Sequence, residues 1–251
     1  MPFRFFSDRL MAYKQSEFTR YLSSTLVLFA LATPTFAQGF RFGLKAGVPM
    51  TDYFETGTSV FRRGHIGYSA ATRRYTVGAS TEWRFRGGFG FELDALYKRM
   101  GYVRGYGEAA VSLANGTFDV LENNETFDVK GHSWDFPMMV KYRFGRILQP
   151  YVAAGVVLRH IGPVRARGVG TTHSFLTGAI VTTPIDTDDP SELRDRNFAG
   201  LAIAVGVEFG RGRLRLLPEF RYTRWTANIA QPSGLLRFDP NQVEFLLGFL
   251  F

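Results

Sequence analysis

Fifteen charged side chains stand out in this chain because each sits between neighbours that are mostly apolar. Seven are acids: Glu82, Glu92, Asp94, Asp135, Glu208, Glu219 and Glu244. Eight are bases: Arg41, Lys45, Arg84, Lys98, Lys141, Arg143, Arg215 and Arg221. Groups of both signs spaced in this way can do one of two things inside a fold. They can pair with each other and fill an interior, since buried charges need partners. Alternatively, they can line a small or gated path along which ions move once the pairs part.

Other chemistry is poorly supported. The four histidines, His65, His132, His160 and His173, have no second histidine at metal-ligand spacing. There is no cysteine, which excludes disulfides and thiolate metal sites. His132 and Ser133 are adjacent, but neighbours on a strand point to opposite faces, so a serine hydrolase is not expected. Thr187-Asp188-Asp189 offers oxygens to a cation, yet a calcium loop needs more of them at regular spacing. It reads as a solvated turn before Pro190. The expectation is a protein without catalytic residues, metal or cofactor.

The elements that position the charges follow from composition and period. Of 251 residues, 45% are hydrophobic and 16% aromatic, with 25 Phe and 27 Gly, a mixture that favours strands and tight turns over helices. The net charge of +8 is spread along the chain instead of gathered in a stripe, so nucleic acid is not an expected partner. Arg20 precedes YLSSTLVLFALATPTFAQ, an apolar core ending in Thr35-Phe36-Ala37. This has the form of a secretory signal peptide over residues 1–37, cut before Gln38, with Met11 as an alternative start. No later stretch approaches the ~20 continuous apolar residues of a membrane helix.

Residues 38–251 read as one domain of period-two segments. They are 40–48, 75–85, 89–98, 134–144, 151–159, 200–209, 213–225 and 242–251. In 151–159 the two faces are less clearly separated. The others set Phe, Tyr, Trp, Leu and Val on one face and the fifteen charges, interspersed with Gly and Ala, on the other. Each is near the 9 to 11 residues that a tilted strand needs to cross a bilayer. The connections at 86–88, 145–149 and 210–212 are short. Those at 49–74, 99–133, 160–199 and 226–242 are long and polar.

Strict alternation of short and long connections predicts an eight-stranded antiparallel up-and-down transmembrane β-barrel with short periplasmic turns and four long external loops. Volume decides which face is inside. Eight strands enclose a space just wide enough for side chains, so bulky aromatics on nearly every strand belong outside, with long charges and small residues sharing the lumen. Aromatics at the strand ends would then form the two interfacial girdles, and closure would satisfy the backbone in hydrocarbon.

WDFPMMVKYRF followed by QPYVAAGVVLR resembles the fourth and fifth strands of the bacterial outer-membrane β-barrel domain family, related in architecture to OmpA. LLPEFRYTRW and FLLGFLF resemble its last two strands. Phe249 and the final Phe251 resemble the aromatic signal read by the outer-membrane barrel assembly machinery. The resemblance implies a Gram-negative outer membrane and supplies no catalytic residues.

The expected role is therefore structural or binding, with the lumen closed by ion pairs and specificity in the external loops. A small pore is the alternative, and a lipid-modifying enzyme the third reading. Outer-membrane lipid is the expected surrounding and a monomer the expected state. Arg62, Arg63, Arg73, Arg74, Arg165 and Arg167 crowd the loops. Among them, Arg73 and Arg74 are candidates for holding lipopolysaccharide phosphates, because Arg matches phosphate geometry.

Overall fold

β1 (Ala37–Pro49) pairs on one side with β4 (Thr76–Phe85) and on the other with β12 (Asn241–Leu250), and that double pairing closes a ring. The computed structural model describes residues 37–71, 74–114, 117–145, 148–188, 196–210, 214–226 and 238–251. Residues 1–36 of the leader expected over 1–37, and Arg73, lie outside them. The ring continues from β4 through β5 (Phe89–Ala114), β6 (Thr117–Arg143), β7 (Gln149–Ile161), β10 (Asn197–Glu208) and β11 (Arg215–Trp225) back to β12, all antiparallel. These contain the eight segments of the sequence reading, with ends moved by a few residues except where β5 runs on past 98 and β6 begins well before 134.

Alternation puts the apolar set outside. Phe42, Leu44, Val140, Leu201, Ile203 and Phe220 are exposed on the outer wall. At the end of the short turns, aromatic pairs such as Phe40 with Trp83 (5.2 Å between centroids) and Phe89 with Tyr142 (4.8 Å) form one girdle. At the opposite end Tyr97 meets Trp134 edge-on at 5.4 Å. Large side chains fit the interior because β7 and β10 contribute small ones: Ala153, Gly155, Ala202, Ala204 and Gly206 face inward, and the Tyr151 ring lies over Gly206. The turn at Arg86–Gly88 needs glycine, since Gly87 and Gly88 take φ of 78° and 86°.

The external connections differ from expectation. Segment 99–133 is not a loop: β5 and β6 run on past the ring as one hairpin, with Arg99 opposite His132 and Ala114 opposite Thr117. At ~3.3 Å per residue, residues 99–114 extend the sheet by ~50 Å. Two further hairpins flank it. β2 (Gly57–Phe61) and β3 (Gly64–Ala70) join along β5, while β8 (Arg165–Ser174) and β9 (Ile180–Asp188) join along β6. The result is a six-stranded external sheet in the order β2-β3-β5-β6-β8-β9. Thr187 and Asp188 belong to β9, so the turn expected there is instead strand, and Asp189 lies outside the described residues. The strands pair their backbone in a ladder, and apolar side chains such as Tyr68, Tyr102, Phe127 and Val129 are buried together at the base of the sheet.

Candidate functional site

The interior is a stack of three charged tiers. Nearest the external sheet, Lys98 Nζ lies 2.7 Å from Asp135 Oδ2 and 2.6 Å from Glu244 Oε1. Arg159 grips the same Asp135 with two bonds, Nε to Oδ1 at 2.6 Å and Nη2 to Oδ2 at 2.8 Å, and donates to Gln242 Oε1 at 2.9 Å. Thr76 Oγ1 donates to Glu244 at 3.1 Å.

In the middle tier Lys45 Nζ lies 2.5 Å from Glu92 and 3.0 Å from Asp94, with Glu219 at 3.7 Å. Arg221 reaches the same three acids at 3.2, 2.9 and 2.7 Å respectively. Lys141 donates to Glu92 and sits 4.3 Å from the Tyr151 ring centroid, while Tyr151 donates its hydroxyl to Glu219 at 2.8 Å. Ser80 Oγ completes Asp94 at 2.6 Å.

In the tier nearest the short turns, Glu82 and Glu208 face Arg41, Arg84, Arg143 and Arg215. Arg84 binds Glu82 at 2.7 Å and Glu208 at 2.5 Å. Arg143 binds Glu208 at 2.8 Å and also Glu82. Arg41 and Arg215 stand 3.4 and 3.7 Å from Glu208 and remain partly exposed at the mouth.

Counting partners, the outer tier sets Lys98 and Arg159 against Asp135 and Glu244, and the middle tier sets Lys45, Lys141 and Arg221 against Glu92, Asp94 and Glu219. Both balance. Only the last tier has surplus cations, and it is the one that water reaches, where uncompensated charge costs least.

All fifteen charges singled out in the sequence lie on the inward face, and Arg159 joins them. Its strand hides it. In YVAAGVVLR the inward positions Tyr151, Ala153, Gly155 and Val157 look no more polar than the outward ones, so nothing marks Arg159 as a lumen residue. Above the outer tier, Tyr53, Phe54, Phe198, Trp225 and Phe238 form an aromatic stopper. Phe54 and Phe238 are bridged across the mouth, and Asp239 N–H donates to Tyr53 O at 3.0 Å. Sequence reading placed Tyr53, Phe54 and Phe238 in loops and missed this role, because no periodicity marks them.

The other candidates scatter. Arg74 is held by Asp52 at 3.1 and 3.2 Å. Arg62 and Arg63 occupy the β2–β3 turn, and Arg165 and Arg167 lie on β8 paired with Asp186 and Asp188. Ser133 is buried in the interior while His132 lies on the opposite face of β6. His65 is on β3, His160 contacts Asn197 Oδ1 at 2.7 Å, and the His173 ring lies 4.7 Å from that of Phe175. Among the described residues no three acids or histidines gather as a metal site. Phe249 is exposed on β12, and Phe251, just past its end, is exposed and packed against Phe42 at 6.1 Å.

A closed eight-strand ring with an apolar outer wall, aromatic girdles and an ion-paired interior defines a transmembrane β-barrel. The chain belongs to the family described as outer membrane protein beta-barrel domain, whose model matches residues 36–224. That membership places it in the outer membrane.

Among solved structures, Neisserial surface protein A is similar at 13% identity, covering 85% of this chain and 96% of its own, with a TM-score of 0.39. The attachment invasion locus protein Ail of Yersinia pestis, in complex with the heparin analogue sucrose octasulfate, has 10% identity, 85% and 100% coverage and a TM-score of 0.35. The outer membrane protease OmpT from Escherichia coli has 8% identity, 87% and 98% coverage and a TM-score of 0.31. Likenesses this distant carry no functional argument. No curated protein matches the sequence.

Proposed function

We propose that the protein is a non-conducting, non-catalytic barrel whose acting part is the external sheet, held outward for contact with a macromolecular partner. The closure of the interior carries this reading. The two balanced tiers and the aromatic stopper leave their charges buried and partnered, and a conducting path would require several such pairs to part at once.

The far end of the sheet supports the second half. Val111, Leu113, Phe118, Val120, Phe175 and Ile180 are all exposed there, and cross-strand pairing puts them on one face. An apolar cluster at the point most distant from the membrane is suited to protein contact. In this reading the leader over 1–37 is removed on export, the apolar wall sits in outer-membrane lipid, and the chain works as a monomer. Phe249 on β12 and Phe251 just past its end are offered to the assembly machinery.

Ion conductance of refolded residues 38–251 in a planar bilayer tests the reading, using protein shown to be inserted. Silence is the expected result. Steady, discrete conductance would transfer the function to the lumen and make the protein a pore.

A further inference from the structure

Where the external sheet leaves the ring, β5 and β6 both change neighbours. β5 pairs with β4 up to Lys98 and with β3 from Tyr102 onward. β6 pairs with β7 down to Ser133 and with β8 from Lys130. Residues 99–101 and 131–132 occupy the gap. Arg99 pairs with His132, Met100 with Gly131 and Gly101 with Lys130, and backbone bonds run from Ala71 N–H to Gly101 O at 3.1 Å and from Gly162 N–H to His132 O at 2.9 Å.

The gap is a pocket of about 280 Å³ whose lining includes Tyr97, Arg99, Lys130 and His132, with Ala71 and Pro163 at its sides. At ~30 Å³ per water molecule it has room for a phosphate and part of the sugar carrying it.

Its position is informative. Tyr97 and Arg99 share the outward parity of Phe89 and Phe91, and Lys130 and His132 share that of Trp134 and Phe136. The pocket therefore opens toward lipid, one residue pair beyond the Tyr97–Trp134 contact of the outer girdle. Aromatic girdles mark the boundary of the hydrocarbon, so this is the depth of the outer-leaflet headgroups.

The basic groups are available. Arg99 is exposed and has no side-chain partner among the described residues. Lys130 makes one exposed contact, with Asp128 at 3.0 Å, a type of pair that holds weakly. The His132 ring stacks on Tyr97 at 5.6 Å. It can lie there because residue 162 is glycine: a Cβ on Gly162 would stand 2.3 Å from His132 Nε2.

We propose that this pocket binds a phosphate on the sugar head of an outer-leaflet lipopolysaccharide. Arg99 offers its planar fork to two phosphate oxygens, Lys130 adds a point charge, His132 supplies a ring N–H, and Tyr97 packs against the sugar. The partner class is the one anticipated for Arg73 and Arg74, but the site is different: Arg74 is already engaged by Asp52. The inference does not rest on the role of the external sheet.

The test is native mass spectrometry of the full chain extracted from outer membranes in mild detergent, counting retained lipopolysaccharide. Insertion is checked by heat-modifiable electrophoretic mobility. Wild type and a control, Arg62→Gln with Arg63→Gln on the β2–β3 turn, should retain the lipid. Arg99→Gln with Lys130→Gln should retain it about tenfold less, on the scale of the attraction each basic residue contributes near an anionic surface. Arg99→Gln alone is measured alongside, so that a folding loss in the double variant does not decide the outcome; it should fall part of the way.

Equal retention by wild type, the single and the double variant overturns the proposal. So does equal retention of lipopolysaccharide stripped of its sugar phosphates. Displacement of the lipid by inorganic phosphate would overturn the lipid source in favour of a free-phosphate site.

Discussion

Arg159 lies over the Trp225 ring at the outer mouth of the barrel, the guanidinium carbon 4.0 Å from the ring centroid. The same guanidinium is gripped from below by Asp135 and lies within 6 Å of the Tyr53, Phe198 and Phe238 rings. Arg159 thus joins the charged interior to the aromatic stopper. A planar cation can do both at once, since its edge donates hydrogen bonds while its faces stack.

Replacing Arg159 by Met should therefore destabilise the barrel by about 3 kcal/mol, the lower end for breaking a buried pair, because Lys98 still serves Asp135. Arg159→Lys should fall between, keeping the charge but losing the stack and the paired bonds. Urea midpoints of inserted protein measure both. A midpoint for Arg159→Met equal to wild type would show that the stopper stands without it.

The middle tier should be the most sensitive to loss of an acid. Glu92 serves Lys45 and Arg221 at 2.5 and 3.2 Å and Lys141 besides, all of them buried. Glu92→Gln is expected to cost about 3 to 5 kcal/mol. Glu208→Gln should cost less than half of that, because Arg84 and Arg41 beside it are 17% and 21% exposed and water shares their charge. Reversed ranking in the same urea titration would contradict the tiered picture.

Legibility in the sequence followed burial. Where one face met lipid and the other a narrow lumen, as in FRFGLKAGV, alternation was sharp and both the strand and its inward charges could be read. The external sheet is wetted on both faces over much of its length, so TFDVLENNETF lacks a consistent apolar face and resembles a loop. One signal was present. Asn115-Gly116, a strong hairpin dipeptide, lies between AAVSLA and TFDVL, and the strands it separates pair Ala114 with Thr117. The stopper was illegible for another reason: Tyr53 and Phe238 are 185 positions apart in sequence and meet only because β1 and β12 close the ring.

Some glycines of the inner wall leave no room for a side chain, whereas Gly105 of the external sheet does. A Cβ on Gly155 would fall 1.9 Å from Met138 O, and one on Gly78 equally close to Ala95 O, both backbone atoms of the adjoining strand. No side-chain shift relieves such a contact, so Gly155→Val and Gly78→Val should fail to give the heat-modifiable inserted form. Gly105→Val, in the external sheet with nothing within 4 Å, should insert like wild type. Normal insertion of either ring variant would mean that the strands do not approach this closely.

Acid should loosen the external sheet at β8 and β9 before it affects the barrel. The Ser174 hydroxyl, donating at 2.5 Å, and the Leu176 N–H at 2.9 Å hold the Asp119 carboxyl below its ordinary value. Arg165, donating twice at 2.8 Å, does the same for Asp186. A carboxylate depressed in the folded state contributes stability that is complete above the unfolded value, ~3.9 for Asp, and is lost as pH falls through the folded one. Amide exchange of residues 165–188 should thus be steady from pH 7 to 5 and quicken below about 4, after correction for the intrinsic rate. Ring amides such as those of 201–205 should stay protected over the same range. Asp119→Asn with Asp186→Asn should remove the acid-dependent step, and a step that survives the double substitution would assign it to other groups.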